Sequence, residues 1–285
     1  MRNNEERFGP PIEEDSATPA VAAAVMQQPA AENPLNFVTP TEFVDLPSKG
    51  KLYPPGHPLH DKDTIEIKFM TAKEEDILTS KSLLKKGVAI DRMLQNLIVD
   101  KNIKLDNMLS GDKNALLVAS RISGYGPSYD ISVTCPSCDT KQEHSFDLSS
   151  FAHKDLSDLD DLELKLTQNS TFVYTLPRSK VQVEFRLLTS GDESQLTQEM
   201  MRAKKEEAAS TDSLKRVIVS VNSNTDRFVI KNFVDNMPAA DARLLRAAVR
   251  RTTPDIEMIG EFVCASCGHE EEMEVPLTTE FFWPK

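Results

Sequence analysis

Four cysteines in two C-x-x-C pairs constrain this chain more than any other feature. Cys135 and Cys138 form the first pair, Cys264 and Cys267 the second, and 125 residues lie between Cys138 and Cys264. The pairs fall at the same place in an internal repeat. Residues 106–138 align without a gap to residues 235–267 at a constant offset of 129. Asp106, Asn107, Met108, Asp112, Leu116, Ala119, Arg121, Cys135, Ser137 and Cys138 all recur, which makes ten identities in 33 positions. Ordinary composition gives about two by chance. A weaker likeness extends to either side. Val183–Leu187 resembles Ile65–Phe69, Thr189 with Asp192 and Glu193 repeats the acidic start at Thr71, and His144, Phe146 and Leu148 correspond to Met273, Val275 and Leu277. Each half therefore reads as a strand, then helices, then a cysteine-bearing hairpin. The expected fold is α+β: an internally duplicated strand–helix–hairpin unit whose halves share a split four-cysteine zinc ribbon.

The chemistry behind that expectation is specific. Apolar residues of β character flank each pair: Ile131 and Val133 before the first, Phe146 and Leu148 after it, Val263 before the second, Val275 and Leu277 after it. A C-x-x-C in a tight hairpin turn aims two thiolates at one point, and two such knuckles complete a tetrahedron around Zn2+. Cys135, Cys138, Cys264 and Cys267 are thus the expected ligands of one structural zinc per chain. Four thiolates leave no open coordination position, so the site is expected to be structural. The competing uses of such cysteines are a disulfide, a thioredoxin-like redox pair or an iron–sulfur cluster; a redox motif needs only one pair, near a βαβ pattern. His144 and His269 lie near the cysteines, but neither has a histidine counterpart in the other half.

Five segments follow from the pattern along the chain. Residues 1–36, rich in Ala, Pro, Glu and Gln, are expected to be a disordered tail. Residues 37–64 read as an extended Pro-rich arm. Its anchors include Phe43, Leu46, Leu52 and Tyr53, which either tie the arm to its own domain or hook a neighbouring subunit. Residues 65–150 form the first repeat. Ile65, Ile67 and Phe69 alternate with charged residues as in a half-buried strand, and Thr71 with Glu74 makes a capping box for a helix that ends at Gly87. Met93, Leu94, Leu97 and Ile98 mark a second helix, and Asp112 is placed to cap a third carrying Leu116, Leu117, Ala119 and Ile122. Residues 151–182 are a connector, and residues 183–285 are the second repeat, with a charged helix around Gln195 to Ala208. The recurrent pairs Asp112/Asp241 and Arg121/Arg250 are expected to serve the common fold, as a cap and a hydrogen-bonding arginine.

Composition and motifs narrow the function. The chain has 285 residues and a formal net charge of −12, from 33 Lys+Arg and 45 Asp+Glu. That average field repels a phosphate backbone and disfavours nucleic acid, although Lys204, Lys205, Arg243, Arg246, Arg250 and Arg251 could form a local basic face. No stretch approaches the length of a membrane span, and Met1–Arg7 lacks the apolar run of a secretory signal, so neither a membrane nor export is expected. There is no P-loop, G-x-G-x-x-G, G-x-S-x-G or H-E-x-x-H. Glu74, Glu75 and Asp76 fit a solvated helix start. The chain therefore reads as a binding or assembly protein with no small-molecule substrate. Phe281, Phe282 and Trp283 offer core packing under the ribbon or, at Trp283, an exposed anchor for a partner.

Three motifs carry a family resemblance. Leu46-Pro47-Ser48-Lys49-Gly50 with Tyr53-Pro54, the run Met70 to Leu78, and Gly111 to Ala115 followed by Arg121-Ile122 and Tyr125-Gly126 resemble a T-even-type bacteriophage baseplate protein family. The likeness is strongest over residues 40–150. It implies a structural or chaperone-like assembly protein of the central hub of a contractile-tail baseplate, with other hub proteins as partners. It implies a place in the host cytoplasm during assembly and in the virion tail baseplate. It brings no catalytic residue. The contrasting reading is a zinc-ribbon adaptor that binds nucleic acid.

Overall fold

A computed structural model describes residues 39–154, 156, 163–203, 209–276 and 281–282. The expected tail, residues 1–36, and Trp283 lie outside them. Among the described residues the chain is α+β, with eight helices and small antiparallel sheets.

The chain enters as a hairpin. Strand β1 (Thr41–Asp45) pairs antiparallel with β2 (Thr64–Lys68), Thr41 opposite Lys68 and Asp45 opposite Thr64. The expected arm is thus a folded loop. Leu46, Tyr53 and Leu59 are buried in the core, because the Pro- and Gly-spaced apolar residues point inward once the two strands close the loop. Three helices follow: α1 (Ala72–Thr79), α2 (Lys81–Lys86) and α3 (Ala89–Leu97). The Glu74 carboxylate accepts the Thr71 N–H at 3.0 Å, the reach-back bond of the expected capping box. The single helix expected up to Gly87 is broken at Ser80, whose backbone is extended, and Gly87 closes α2 with φ of 68°. Helix α3 buries Met93, Leu94 and Leu97. A longer helix, α4 (Ser110–Tyr125), leads into hairpin β3 (Ser128–Thr134) and β4 (Lys141–Asp147).

The expected connector contains strands. Beyond β5 (Ala152–His153) come β6 (Lys165–Leu166) and β7 (Phe172–Thr175), which pairs with β8 (Gln182–Phe185). Phe172 and Tyr174 are buried and Val173 is half-buried, an alternation too short to stand out in the sequence. Helices α5 (Ser190–Ala203) and α6 (Ala209–Val217) precede β9 (Ile218–Val221), which completes a sheet of order β6-β7-β8-β9. Helices α7 (Arg227–Asn236) and α8 (Ala239–Thr252) then lead through β10 (Ile256–Glu257), paired with β5, to hairpin β11 (Ile259–Val263) and β12 (Glu270–Glu274). One core runs through both halves and includes Leu116, Phe146, Phe185, Leu245 and Phe262.

The two recurrent aspartates do not cap their helices as expected: the N-cap positions are Leu109 and Pro238, and neither helix start has a side-chain cap bond. Asp112 is the third residue of α4, and Asp241 the third of α8. Both are fully buried. Asp112 accepts the Ser48 N–H at 2.9 Å, the Ser48 hydroxyl at 2.6 Å and the Tyr53 hydroxyl at 2.7 Å. Asp241 accepts the N–H groups of Arg178 at 3.0 Å and Ser179 at 2.8 Å. Each carboxylate therefore holds the loop of a hairpin, β1–β2 or β7–β8, against the start of the helix that leads to a cysteine pair. The arginines diverge. Arg121 is buried and donates to the carbonyls of Phe281, Gly126 and Ser128 at 2.6, 2.7 and 3.0 Å, while Arg250 is exposed. Gly111 admits the chain at Pro254: a Cβ there would lie 1.7 Å from the Pro254 carbonyl oxygen.

Two predictions follow from these contacts. Asp112→Ala leaves the Ser48 and Tyr53 donors without their acceptor in the core and is expected to lower the unfolding free energy by about 3 kcal/mol in denaturant melts. An unchanged midpoint would show that the loop holds without it. Asp192 caps α5 through the Thr189 N–H at 3.0 Å and pairs with Arg186 at 2.5 and 2.9 Å. Burial alone would raise its pKa, but the Arg186 and Thr189 hydrogen bonds outweigh it and hold the carboxyl below the ordinary range. The stability this group contributes is present above the ordinary Asp value of about 4 and is lost as pH falls through the folded-state value. Asp192→Asn is therefore expected to melt below wild type at neutral pH, with the gap closing in acid.

Candidate metal centre

Each cysteine pair occupies the turn of its hairpin, and the two turns are built alike. In the first, the Cys135 N–H donates to the Thr140 carbonyl at 2.9 Å and the Asp139 N–H to the Cys135 carbonyl at 2.9 Å. In the second, the Cys264 N–H donates to the His269 carbonyl at 2.8 Å and the Gly268 N–H to the Cys264 carbonyl at 2.9 Å. Asp139 and Gly268 both take the left-handed conformation, with φ of 57° and 71°. That backbone suits glycine and, less readily, Asp or Asn. An Asp or Gly directly after each C-x-x-C is a sequence signal for the turn that the cysteine spacing alone does not convey.

The knuckles meet. Cys135 Sγ lies 3.8 Å from Cys267 Sγ, and Cys138 Sγ lies 3.7 Å from Cys264 Sγ. All four sulfurs lie within 4.8 Å of one another and could hold one metal ion. Cys135 and Cys264 are buried, Cys138 and Cys267 exposed, and all four are free of disulfides. Hydrogen bonds from the Thr140 hydroxyl and backbone draw the Cys138 thiol down to about 6. At Cys264 the Cys267 backbone N–H lowers the pKa. At Cys267 the His269 backbone favours the thiolate, but the neighbouring thiols prevail and push it up to about 11. Four sulfurs so close cannot all ionise without a cation among them.

Side chains join the hairpins. Gln142 donates from Nε2 to the Val263 carbonyl and accepts the Ala265 N–H, both at 2.9 Å. His144 Nε2 lies 2.9 Å from the Glu261 carbonyl, and its ring stands edge-on to Phe146 and Phe262, with centroids 4.6 and 5.3 Å away. His144 thus bridges β4 and β11, and His269 faces Glu271 at 3.2 Å. Neither ring belongs to the cysteine cluster. Gly260 permits the approach: a Cβ there would meet Phe146 Cδ1 at 2.4 Å.

The expected partner anchors are spread over different environments. Phe43 is 70% exposed on β1, whereas Leu46 and Tyr53 are 1% and 2% exposed. Leu52 packs half-buried against the core. Leu46 and Tyr53 are therefore internal anchors, Tyr53 through its bond to Asp112. Phe281 and Phe282 are buried, as the core-packing alternative holds.

A family model described as T4 bacteriophage base plate protein matches residues 39–283, a span that takes in both cysteine pairs. Searches of curated proteins and of solved structures return no match.

A metal ion on all four thiolates would contribute directly to folding, since it closes a loop of more than a hundred residues. Removing metal with a strong chelator, verified by elemental analysis, is expected to lower the melting temperature by about 10 °C or more. An unchanged melting curve in metal-free protein would sink the clamp.

Proposed function

The chain belongs to the T4 bacteriophage base plate protein family, and from that premise we propose that it serves the central hub of a contractile-tail baseplate, as a hub subunit or as a chaperone of hub assembly. Its work is contact with other baseplate proteins. The family match across residues 39–283 carries this reading. Within the match, the aspartate-held loops, capping boxes and cysteine hairpins all have local structural work, which fits a non-enzymatic role.

In the same proposal the chain is an internally duplicated unit whose halves share one structural zinc on Cys135, Cys138, Cys264 and Cys267. Two observations support it. The positions of the held loops, the capped helices α1 and α5, and the knuckles recur in order through both halves. The sulfur pairs at 3.7 and 3.8 Å also fit a tetrahedron with Zn–S bonds of about 2.3 Å, whose edges are about 3.8 Å. Zinc supplies no chemistry beyond neutralising the thiolates and fixing the hairpins.

Phe43 is the partner anchor this reading favours, with Leu52 beside the same loop and Trp283 at the other end of the matched span. A large aromatic exposed on a strand gains most when a partner covers it.

Quantitative mass spectrometry of purified particles, beside unfinished baseplates from infected cells, tests the role. Stoichiometric presence in particles identifies a hub subunit; presence only on unfinished baseplates identifies an assembly chaperone. Absence from both overturns the reading. Phe43→Asp is expected to reduce recovery with baseplates about tenfold while the melting temperature holds, because its side chain lies outside the core.

A further inference from the structure

We propose that the outer face of α8 docks a carboxylate-rich segment of a partner protein. The proposal rests on the reading that this chain works through protein contacts, and it adds the place and chemistry of one of them.

Arg243, Arg246 and Arg250 follow one another at spacings of three and four residues. They therefore share one helix face, along about 10 Å of axis. Arg243 and Arg250 are exposed and Arg246 is half-buried, while Asp241, Leu245, Ala248 and Thr252 on the inner face are buried. The helix dipole accounts for Arg250, which lies in the last turn. It does not account for Arg243, only four residues from the helix start, where a cation is disfavoured.

Among the described residues, no carboxylate of the chain pairs with this stripe. Four aspartates on and around α7 and α8 are engaged elsewhere. Asp226 accepts the Phe228 N–H at 2.7 Å, Asp235 pairs with Lys215 at 2.7 Å, Asp241 holds the Arg178–Ser179 loop, and Asp255 accepts from Asn114 at 2.9 Å. Among the described residues none of the three guanidinium groups is in an ion pair.

The matching positions of α4 give a contrast. At the offset of 129 they are Asn114, Leu117 and Arg121. There the face is covered. Asn114 binds Asp255, Leu117 is buried, and Arg121 donates to the Phe281 carbonyl. On α8 the same face is open and carries charge.

A guanidinium fork pairs bidentately with carboxylate or phosphate. The occupant is assigned as carboxylate on grounds of charge. A long polyphosphate would bring its field against a chain of net charge −12 and against the exposed Glu261, Glu270, Glu272 and Glu274 of the second hairpin. A short acidic segment meets only the stripe.

The test uses the full-length protein and its Arg243→Glu/Arg246→Glu/Arg250→Glu variant, with Arg→Gln at the same three positions as a second variant. Equal melting temperatures establish that both are folded. The probes are a labelled all-glutamate peptide and a random-sequence DNA duplex, read by fluorescence anisotropy at rising salt. Recovery with baseplates from infected cells is measured in parallel. The expected result is salt-sensitive binding of the peptide by wild type, about tenfold weaker with Arg→Gln and undetectable with Arg→Glu. Loss of the Arg→Glu variant from baseplates is expected with it. Peptide binding that the variants leave unchanged overturns the proposal. So does tighter binding of the duplex, which would mark a nucleic-acid face. So does stripe-dependent self-association in sedimentation, which would make a second copy the occupant. Wild type absent from baseplates would count against the assembly role itself, while peptide binding would still report on the stripe.

Discussion

Four sulfur atoms within 4.8 Å of one another mark the place where hairpins 125 residues apart in the chain meet. The rest of the contact between those hairpins is slight. β4 and β11 lie side by side without forming a sheet: β3 pairs only with β4, and β11 only with β12. Among the described residues, contacts that cross between the hairpins include the Gln142 amide, the His144 ring, the packing of Phe146 against Gly260, and the Tyr129 hydroxyl, which donates to the Pro276 carbonyl at 3.2 Å. Side-chain bonds of this kind contribute about 1 kcal/mol each, against the entropy of closing a long loop. A cation shared by four thiolates has the strength to decide that balance.

The same closure explains why the helices are fixed where they are. α4 runs directly into its cysteine hairpin and α8 reaches its own through β10, so the knuckles face one another only if both helices start in the right place. Asp112 and Asp241 set those starts by holding a loop from β1–β2 and from β7–β8. The two devices differ in detail. Asp112 takes a tyrosine and a serine hydroxyl as well as a backbone N–H, whereas Asp241 takes two backbone N–H groups. Burial raises the pKa of Asp112 in spite of its three donors. It also pushes up the Tyr53 hydroxyl, which stays a donor to the carboxylate. A carboxylate at such a position is tolerated because several donors from the held loop are aimed at it.

What could be read from the sequence was whatever is settled within a few residues. Thr71 with Glu74 and Thr189 with Asp192 act at helix starts three residues long, and the cysteine pairs act within one turn. Which of the arm's two fates applies depends on residues far away. Leu46 and Tyr53 are turned inward by the pairing of β1 with β2 and by Asp112, 59 residues beyond Tyr53. The strands inside the supposed connector were missed for a similar reason, since β7 has four residues and its partner β8 supplies the context. The repeat located Asp112 and Asp241 correctly as fold-bearing residues. It misled at Arg121 and Arg250, where identity of residue hides a buried hydrogen-bonding role in one half and an exposed charge in the other.

That divergence shows where two segments of matching sequence differ in what they leave exposed. The first half uses the outer face of its long helix internally, with Arg121 seated against the carbonyl of Phe281 and Asn114 against Asp255. The C-terminal phenylalanines can cover only one of two such faces. On the other, the matching positions carry arginines, of which Arg243 and Arg250 are exposed among the described residues. Meanwhile the second hairpin turns Glu261, Glu270, Glu272 and Glu274 outward beside exposed Ile259 and Val263. A net charge of −12 thus conceals two faces of opposite sign, and a basic strip in an acidic surround orients an incoming acidic segment more sharply than a uniform surface would. For a chain whose family works inside a multiprotein assembly, such a strip fixes the direction of approach.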